Sequence, residues 1–379
     1  MSRLKVAHII TQLELGGAQE NTLYTVSHLD QARFEPVLIA GPGGILDDRA
    51  RGLDGVEFHT LPALTRPVRP HKDVGALLAM ARLLRRLRPR IVHTHSSKAG
   101  ILGRLAAAMA GVPLRVHSVH GFGFNAGGHS ALKLILMTAE KICSPLTTHW
   151  IVVSRANLEQ GAELGLLDPA RSSLIRSGID LGLYRSPTGR ARVRAELGLA
   201  ENQPLIVSIA CFKPQKAPLD LIEVAGRVAR QVPEARFALA GDGVLRPQIE
   251  RAVERHGLGG RFHLLGWRRD IPDLLAASDL LLHTPRWEGL PRVVPEALAV
   301  GRPVVATDVD GIREVLEEGV TGHLHPSGDL EGLAGSVTAL LGDSEKRARM
   351  GEEGTRRVAE FDIRDMVRRQ EALYERLAS

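Results

Sequence analysis

The sequence predicts an α/β protein built from two doubly wound parallel sheets, each with its own helices. Three observations carry this expectation. The chain has 379 residues, more than one hydrophobic core usually supports, so two domains of roughly 180 residues are expected. From Lys5 to Asp180 short apolar runs alternate with helical patterns, and from Pro204 a second series of the same kind begins. Strand alternating with helix is the pattern of a parallel sheet covered on both faces.

In the first series, Lys5–Thr11 reads as a strand that runs into QLELGGAQE, and a helix follows from about Gly17 to Leu29. Gly16 and Gly17 make a small-residue turn at this strand-to-helix junction, where backbone can come close to a phosphate. FEPVLIA (Phe34 to Ala40) and EFHTLP read as strands, and Lys72 to Leu87 as a helix. RIVHTHSSKAG (Arg90 to Gly100) is a strand whose end offers Ser96 and Ser97 as N-caps for a helix reaching Ala110. LRVHSVHGFGF (Leu114 to Phe124) is a strand opening into a glycine-rich loop, with His120 at its carboxyl end, where a ligand-facing residue belongs. A helix around Ala131–Lys141, then HWIVVS and SSLIRSGID, complete the series. The hinge is expected in RSPTGR, Arg185 to Arg190.

The second series opens with PLIVSIACF, Pro204 to Phe212, and its loop KPQKAP sets Lys213 and Lys216 just before a helix from about Leu219 to Arg230. Lysines beside a helix N-terminus are unfavourable unless an anion is bound there. RFALAGDG, RFHLLGW, DLLLHTP and RPVVATD follow as strands, each with a helical segment after it. MVRRQEALYERL, Met366 to Leu377, closes the chain as an amphipathic helix.

Composition narrows the function. The apolar fraction of 44% and charged fraction of 24% are those of an ordinary globular protein. No apolar run approaches the roughly 20 residues that span a bilayer, and MSRLKVAHII enters a strand without a signal-peptide pattern. These features predict a cytoplasmic protein, with peripheral attachment to the inner face of the cell membrane as a further expectation. The two cysteines, Cys143 and Cys211, have neither disulfide density nor metal-ligand spacing. The net charge of +6 is uneven: residues 1–187 hold 22 Lys+Arg against 14 Asp+Glu. ARLLRRLRPR, Ala81 to Arg90, is the dense part, read either as a solvated helix face or as a surface for anionic lipid or a phosphorylated acceptor. Nucleic acid is not expected as a partner, since aromatic residues make up only 4% and none interleave with the basic run. His93 and His95 lie two apart on a strand and face one way; with no third ligand near them in sequence, hydrogen bonding is expected rather than a metal.

The most informative stretch is TPRWEGLPRVVPEALAVGRPVVATD, Thr284 to Asp308. Glu288 falls on a strand-to-helix loop, and Glu296, after seven intervening residues, about one turn inside the helix. Two carboxylates can accept hydrogen bonds from vicinal hydroxyls, and a helix start can receive an anion. Together they suit a sugar that bears a phosphate.

Set within FKPQKAPLDLI, LAGDGVLRPQIE, FHLLGWRRDIPDLLAASDLLL and GVTGHLHPSGDLEGLA, this E-x7-E resembles the hallmark of the retaining glycosyltransferase family 4. LELGGAQENT, VHTHSSKAGILGRLAAAMAGVP, SVHGF and IRSGIDLGLY extend the resemblance over nearly the whole chain. It implies the GT-B architecture, two Rossmann-like domains facing across a cleft that closes by hinge motion. The first would span 1–185, the second 186–360, and a last helix, 361–379, would cross back to the first. It implies that Glu296 binds the donor ribose, that Glu288 contacts the transferred sugar, and that Lys216 holds the diphosphate. Backbone N–H groups from Gly289 through Leu290 and Pro291 to Arg292 would join that clamp. Gly17, beside Gly16, would approach the diphosphate from the first domain, and His120 would lie near the sugar's reactive end.

No metal is implied: Asp308-Val309-Asp310 sits where the family has a loop, and is read structurally. The donor would be a nucleotide-sugar, uridine-based by family frequency. The acceptor would be a glycan or a polyprenyl-diphosphate-linked saccharide, as in bacterial exopolysaccharide and capsule enzymes. Two departures stand out. Ala210, Cys211 and Phe212 replace the family's Gly-Arg-Leu, so Lys213 is expected to supply the missing cation, and Ser177 replaces a frequent Asn. The alternatives are a sugar-nucleotide epimerase of the same fold and a non-catalytic two-lobe sugar-binding protein.

Overall fold

Apolar runs that are buried on both faces become parallel strands in the computed structural model, which describes residues 3–122 and 130–379. Gly123 and Phe124 of the expected glycine-rich loop lie outside the described residues. The chain divides into two units, Met1–Gly178 with Ile363–Ser379, and Ile179–Asp362.

In the first unit β1 (Leu4–Gln12), β2 (Phe34–Gly41), β3 (Glu57–Thr60), β4 (Ile91–His95), β5 (Leu114–Val119), β6 (His149–Val152) and β7 (Ser172–Leu174) form one sheet. Their order is β3-β2-β1-β4-β5-β6-β7, so strand order reverses between β1 and β4. One face of the sheet buries Ile9, Ile39 and Val92 against Met80, Leu84 and Ala106 of the helices Pro70–Leu87 and Ser97–Met109. The other buries Val6, Ile91 and Val116 against Met366, Leu373 and Tyr374 of the helix Ile363–Ala378. The final helix is therefore an integral part of the first unit's core. Arg33 anchors it through Glu371 and Glu375, each at 2.7 Å.

The expected boundary near Arg185 is displaced. Ile179 N–H bonds Phe361 O at 2.8 Å, and Asp180 accepts from Gly182 N–H at 3.0 Å to cap the helix Leu181–Tyr184, so the chain is already part of the second unit there. The strand expected over Ser172–Asp180 accordingly stops at Leu174. Ser97 is not a cap but the first residue of its helix. Ser96 occupies the N-cap position at φ 64° and caps nothing with its side chain. Its hydroxyl instead bonds Thr11 Oγ1 at 2.8 Å, and it is Thr11, from β1, that accepts from Ala99 N–H at 3.2 Å.

The second unit's sheet holds β8 (Leu205–Ile209), β9 (Arg236–Ala240), β10 (Phe262–Gly266), β11 (Leu280–His283), β12 (Val304–Thr307) and β13 (Gly322–His325). The order is β10-β9-β8-β11-β12-β13, and the reversal falls between β8 and β11. Strand β13, interrupted by histidines and opened by a glycine, shows no apolar run in the sequence. A Cβ on Gly322 would stand 1.9 Å from Val304 O, so only glycine lets this edge strand close on β12. Among the described residues no helix is long and apolar enough to cross a membrane.

Candidate functional site

In a doubly wound sheet, ligands bind beyond the carboxyl ends of the strands where strand order reverses. In the second unit that place is occupied by the loops after β8 and β11. After β8 the chain turns through Pro214–Lys216 and enters the helix Pro218–Gln231 by way of Ala217, whose φ is 42°. The two loops are stitched together: Arg286 N–H bonds Gln215 O at 2.8 Å, Gln215 Nε2 donates to Trp287 O at 3.1 Å, and the Thr284 hydroxyl donates to Ala217 O at 3.3 Å.

This stitching brings half-buried Lys216 into an ion pair with buried Glu288. Burial pushes the Glu288 carboxyl up, but the Lys216 charge, with His283 beside it, outweighs that and holds it down at about 2. Glu288 is thus an ionised carboxylate at any working pH. His283 Nε2 lies 3.4 Å from the same carboxylate oxygen, longer than an ordinary hydrogen bond, and burial keeps its imidazole below the usual range. Asp310 accepts from Glu288 N–H at 2.7 Å at a backbone φ of 41°. Burial raises the Asp310 carboxyl.

Glu296 sits in the helix Val293–Ala299, buried, with Arg292 Nη2 at 3.4 Å. Gly289, Leu290 and Pro291 are buried between the two glutamates. Pro291 has no N–H to give, which leaves Gly289, Leu290 and Arg292 as backbone donors. Lys213 is half-buried, its N–H on Cys211 O at 2.8 Å. His283 and Asp310 were missed as site residues in the sequence. The signal for His283 is a polar residue ending an apolar run at a strand's carboxyl end. Asp310, read only as part of a structural loop, does hold a loop, and that loop is the one carrying Glu288. Asp308 instead pairs with Arg313.

In the first unit the reversal lies between β1 and β4. Gly16 is extended, at φ −179°, ahead of the helix Gly17–His28. A cavity of about 200 Å³ is lined by Ala18 of that helix, Ser96, His120, Phe122 and Trp150. The structure therefore places the helix start and His120 around one space. Burial lowers the His120 imidazole to about 4, so it is neutral near pH 7.

The absence of a third histidine near His93 and His95 does not hold in space. His8, opposite His93 across β1 and β4, joins them, with the three nitrogen-bearing groups inside 4.8 Å. His93, however, has both ring nitrogens on oxygen, the Tyr374 hydroxyl at 2.6 Å and the Ser118 hydroxyl at 2.7 Å.

Two family models match, Glycosyltransferase Family 4 over residues 15–183 and Glycosyl transferases group 1 over 189–357. The chain is 32% identical over 90% of its length to an Escherichia coli UDP-Gal:alpha-D-GlcNAc-diphosphoundecaprenol alpha-1,3-galactosyltransferase, covering 89% of that enzyme. To a Nocardia farcinica D-inositol 3-phosphate glycosyltransferase it is 30% identical over 90% of its length and 76% of the relative's. Among solved structures, Anabaena HepE in complex with UDP-glucose aligns over 98% of this chain and 100% of its own at a TM-score of 0.83 and 23% identity. WaaG, a glycosyltransferase involved in lipopolysaccharide biosynthesis, aligns over 97% of this chain and 99% of its own at 0.78 and 16%. These two likenesses establish the fold.

Proposed function

The chain belongs to the family 4 glycosyltransferases of GT-B fold, and from that membership we propose what it transfers and how. The donor is a UDP-sugar and the acceptor a polyprenyl-diphosphate-linked saccharide of cell-surface polysaccharide synthesis. Transfer retains the anomeric configuration and needs no metal. The observation that carries this reading is the Lys216–Glu288 ion pair at the strand-order reversal of the second unit. The relative that acts on a diphosphoundecaprenol-linked sugar with a UDP-galactose donor supports the substrate classes.

In this mechanism the donor diphosphate takes Lys216 as its cation, and the N–H groups of Gly289, Leu290 and Arg292 add donors. Lys213 stands in for the arginine that Cys211 cannot replace. As the sugar–phosphate bond breaks, charge grows on the leaving diphosphate, and these fixed cations and dipoles stabilise it without reorganisation. Glu288, kept ionised, accepts from hydroxyls of the transferred sugar, and Glu296 from those of the ribose. Neither acts as acid or nucleophile, because the acceptor hydroxyl attacks from the face the phosphate leaves and passes its proton to that phosphate.

A thermal-shift screen of nucleoside diphosphates in EDTA tests the donor assignment. A ligand at 100 times its Kd stabilises the fold by about 2.7 kcal/mol. UDP is expected to raise the melting temperature, and GDP and ADP are not; a shift with GDP alone would replace the base, and a shift abolished by EDTA would remove the metal-free reading.

Attachment to an anionic membrane is part of the proposal. On Pro70–Leu87, Val74 (57% exposed) and Leu78 (41%) share a stripe with the exposed Arg82, Arg85 and Arg86. The helix Ser130–Cys143, across the intervening Ser97–Met109, exposes Leu134, Ile135 and Ile142. Apolar side chains beside arginines suit a headgroup surface, each basic residue contributing about 1 kcal/mol at low salt. Cosedimentation with phosphatidylglycerol vesicles that Leu134→Ser with Ile135→Ser weakens is the expected result.

A further inference from the structure

We infer that His8 and His95 form a buried relay that fixes the tautomer of His120, making both of them positioning residues for its imidazole. The inference rests on His120 belonging to the transfer site, but its geometry is independent of that reading. Parallel β1, β4 and β5 lie side by side, so His8 and His95 face the same layer and His120 follows immediately after β5. His8 Nδ1 is 3.1 Å from His95 Nε2, and His95 Nδ1 is 3.2 Å from His120 Nε2. The His8 and His95 rings stack at 5.4 Å with 11° between their planes.

Burial holds all three imidazoles well below their ordinary range, so each is neutral near pH 7 and carries one proton. Two nitrogen–nitrogen contacts among three such rings can be satisfied in only two ways, with every proton directed toward His120 or every proton directed away from it. His8 Nε2 decides between them, because it is buried and has no hydrogen-bond partner among the described residues. If the protons run away from His120, His8 must carry its hydrogen on Nε2, a buried donor with nothing to bond. If they run toward His120, His8 Nε2 is only an unfilled acceptor. Orphaned buried N–H groups are the rarer and costlier defect, so His8 Nδ1–H donates to His95 Nε2, and His95 Nδ1–H donates to His120 Nε2.

His120 then keeps its own hydrogen on Nδ1. It enters the reaction as a neutral hydrogen-bond donor toward a substrate oxygen, and not as a base. The flanking histidines do not compete for these protons. His93 is held by Tyr374 and Ser118, and His117 Nδ1 bonds the Thr94 hydroxyl at 2.9 Å. With His93 so engaged, the cluster is a proton-ordering device and not a ligand set.

The test is long-range ¹H–¹⁵N correlation NMR of the full chain labelled at histidine, at pH 7.5, with His120 assigned by the peaks that His120→Gln removes. The wild type is expected to show His120 protonated on Nδ1. His8→Asn keeps a donor near the Nδ1 position and should keep that tautomer, with kcat close to wild type. His8→Asp offers an acceptor there, and should move the His120 proton to Nε2 and lower kcat about tenfold with the donor KM unchanged. If His8→Asp does not fold, His8→Leu decides, since it should end the exclusive Nδ1–H form. Protonation of wild-type His120 on Nε2, a tautomer indifferent to His8, or one equivalent of metal in the purified protein would each overturn the relay. Because the tautomer is read without substrate, a protein that transfers no sugar but shows the relay would refute the proposed function alone.

Discussion

Half-buried Lys216 and buried Glu288 neutralise each other, and removing Lys216 leaves the Glu288 carboxylate desolvated without its counter-charge. In the proposed mechanism the donor phosphate gives Lys216 a replacement anion, and the sugar hydroxyls give Glu288 replacement donors. Binding therefore exchanges partners and leaves neither charge bare. Lys216→Ala is expected to lower kcat/KM by about 10² to 10³, and Glu288→Ala to remove most turnover, both measured by donor consumption with acceptor present. Lys213→Ala should weaken donor affinity; unchanged affinity there beside loss in Lys216→Ala would end the idea that Lys213 replaces the family arginine. The sequence placed Glu288, Glu296, Lys216 and His120 in or beside loops that follow strands, and only the resemblance gave them roles. His283, Asp310 and His8 were not legible there, since their relevance lies in contacts between segments distant in the chain.

At the level of elements, what positions the site is the pairing of two loops that leave adjacent strands. Gln215 contributes both its carbonyl and its side-chain amide to the segment before Glu288. Gln215→Ala removes the amide bond and is expected to cost about 1 kcal/mol and to lower kcat without unfolding the unit, as measured by melting temperature and rate together. The final helix is a second such element. Gly178 allows it to dock: a Cβ there would fall 2.3 Å from Ile363 Cα. Gly178→Ala is expected to destabilise the first unit by about 1–3 kcal/mol, seen as faster amide exchange in Ile363–Ala378 and in β4, while the second unit is unchanged. The amphipathic pattern predicted that helix, and only the resemblance assigned its place. Strand β13 escaped detection because a glycine and two histidines replace the apolar run.

For the whole molecule, the two units differ in how acid reaches them. The first buries His8, lowered to about 3, and His120, lowered to about 4, with His93, His95 and His117 also lowered. A histidine whose folded value is depressed is protonated first in the unfolded chain, so stability falls as pH drops below the ordinary 6.5, by at most about 1.4 kcal/mol per group per pH unit. Glu288 in the second unit has the same ordering in a lower pH window. Its contribution is complete above 4.5 and is lost only as pH falls toward about 2. Among the described residues the second unit has two lowered histidines, His263 and His283, against six in the first, where His149 joins the five named, so pulsed hydrogen exchange from pH 7 to 4.5 should open the first unit before the second. The two-domain α/β plan was readable from length and alternation alone; the histidine layer that makes one unit acid-sensitive was not, because it depends on register between β1 and β4.

The function proposed for this chain is transfer of a sugar from a UDP donor with retention, using Lys216 and Glu288 and no metal. It is tested most directly by incubating the enzyme in EDTA with α-linked UDP-sugars and a polyprenyl-diphosphate-linked N-acetylglucosamine, and reading the new linkage by the H1–H2 coupling in ¹H NMR. An α-linked product that Glu288→Ala does not form is the expected result. A β-linked product, or transfer that EDTA abolishes, would contradict it.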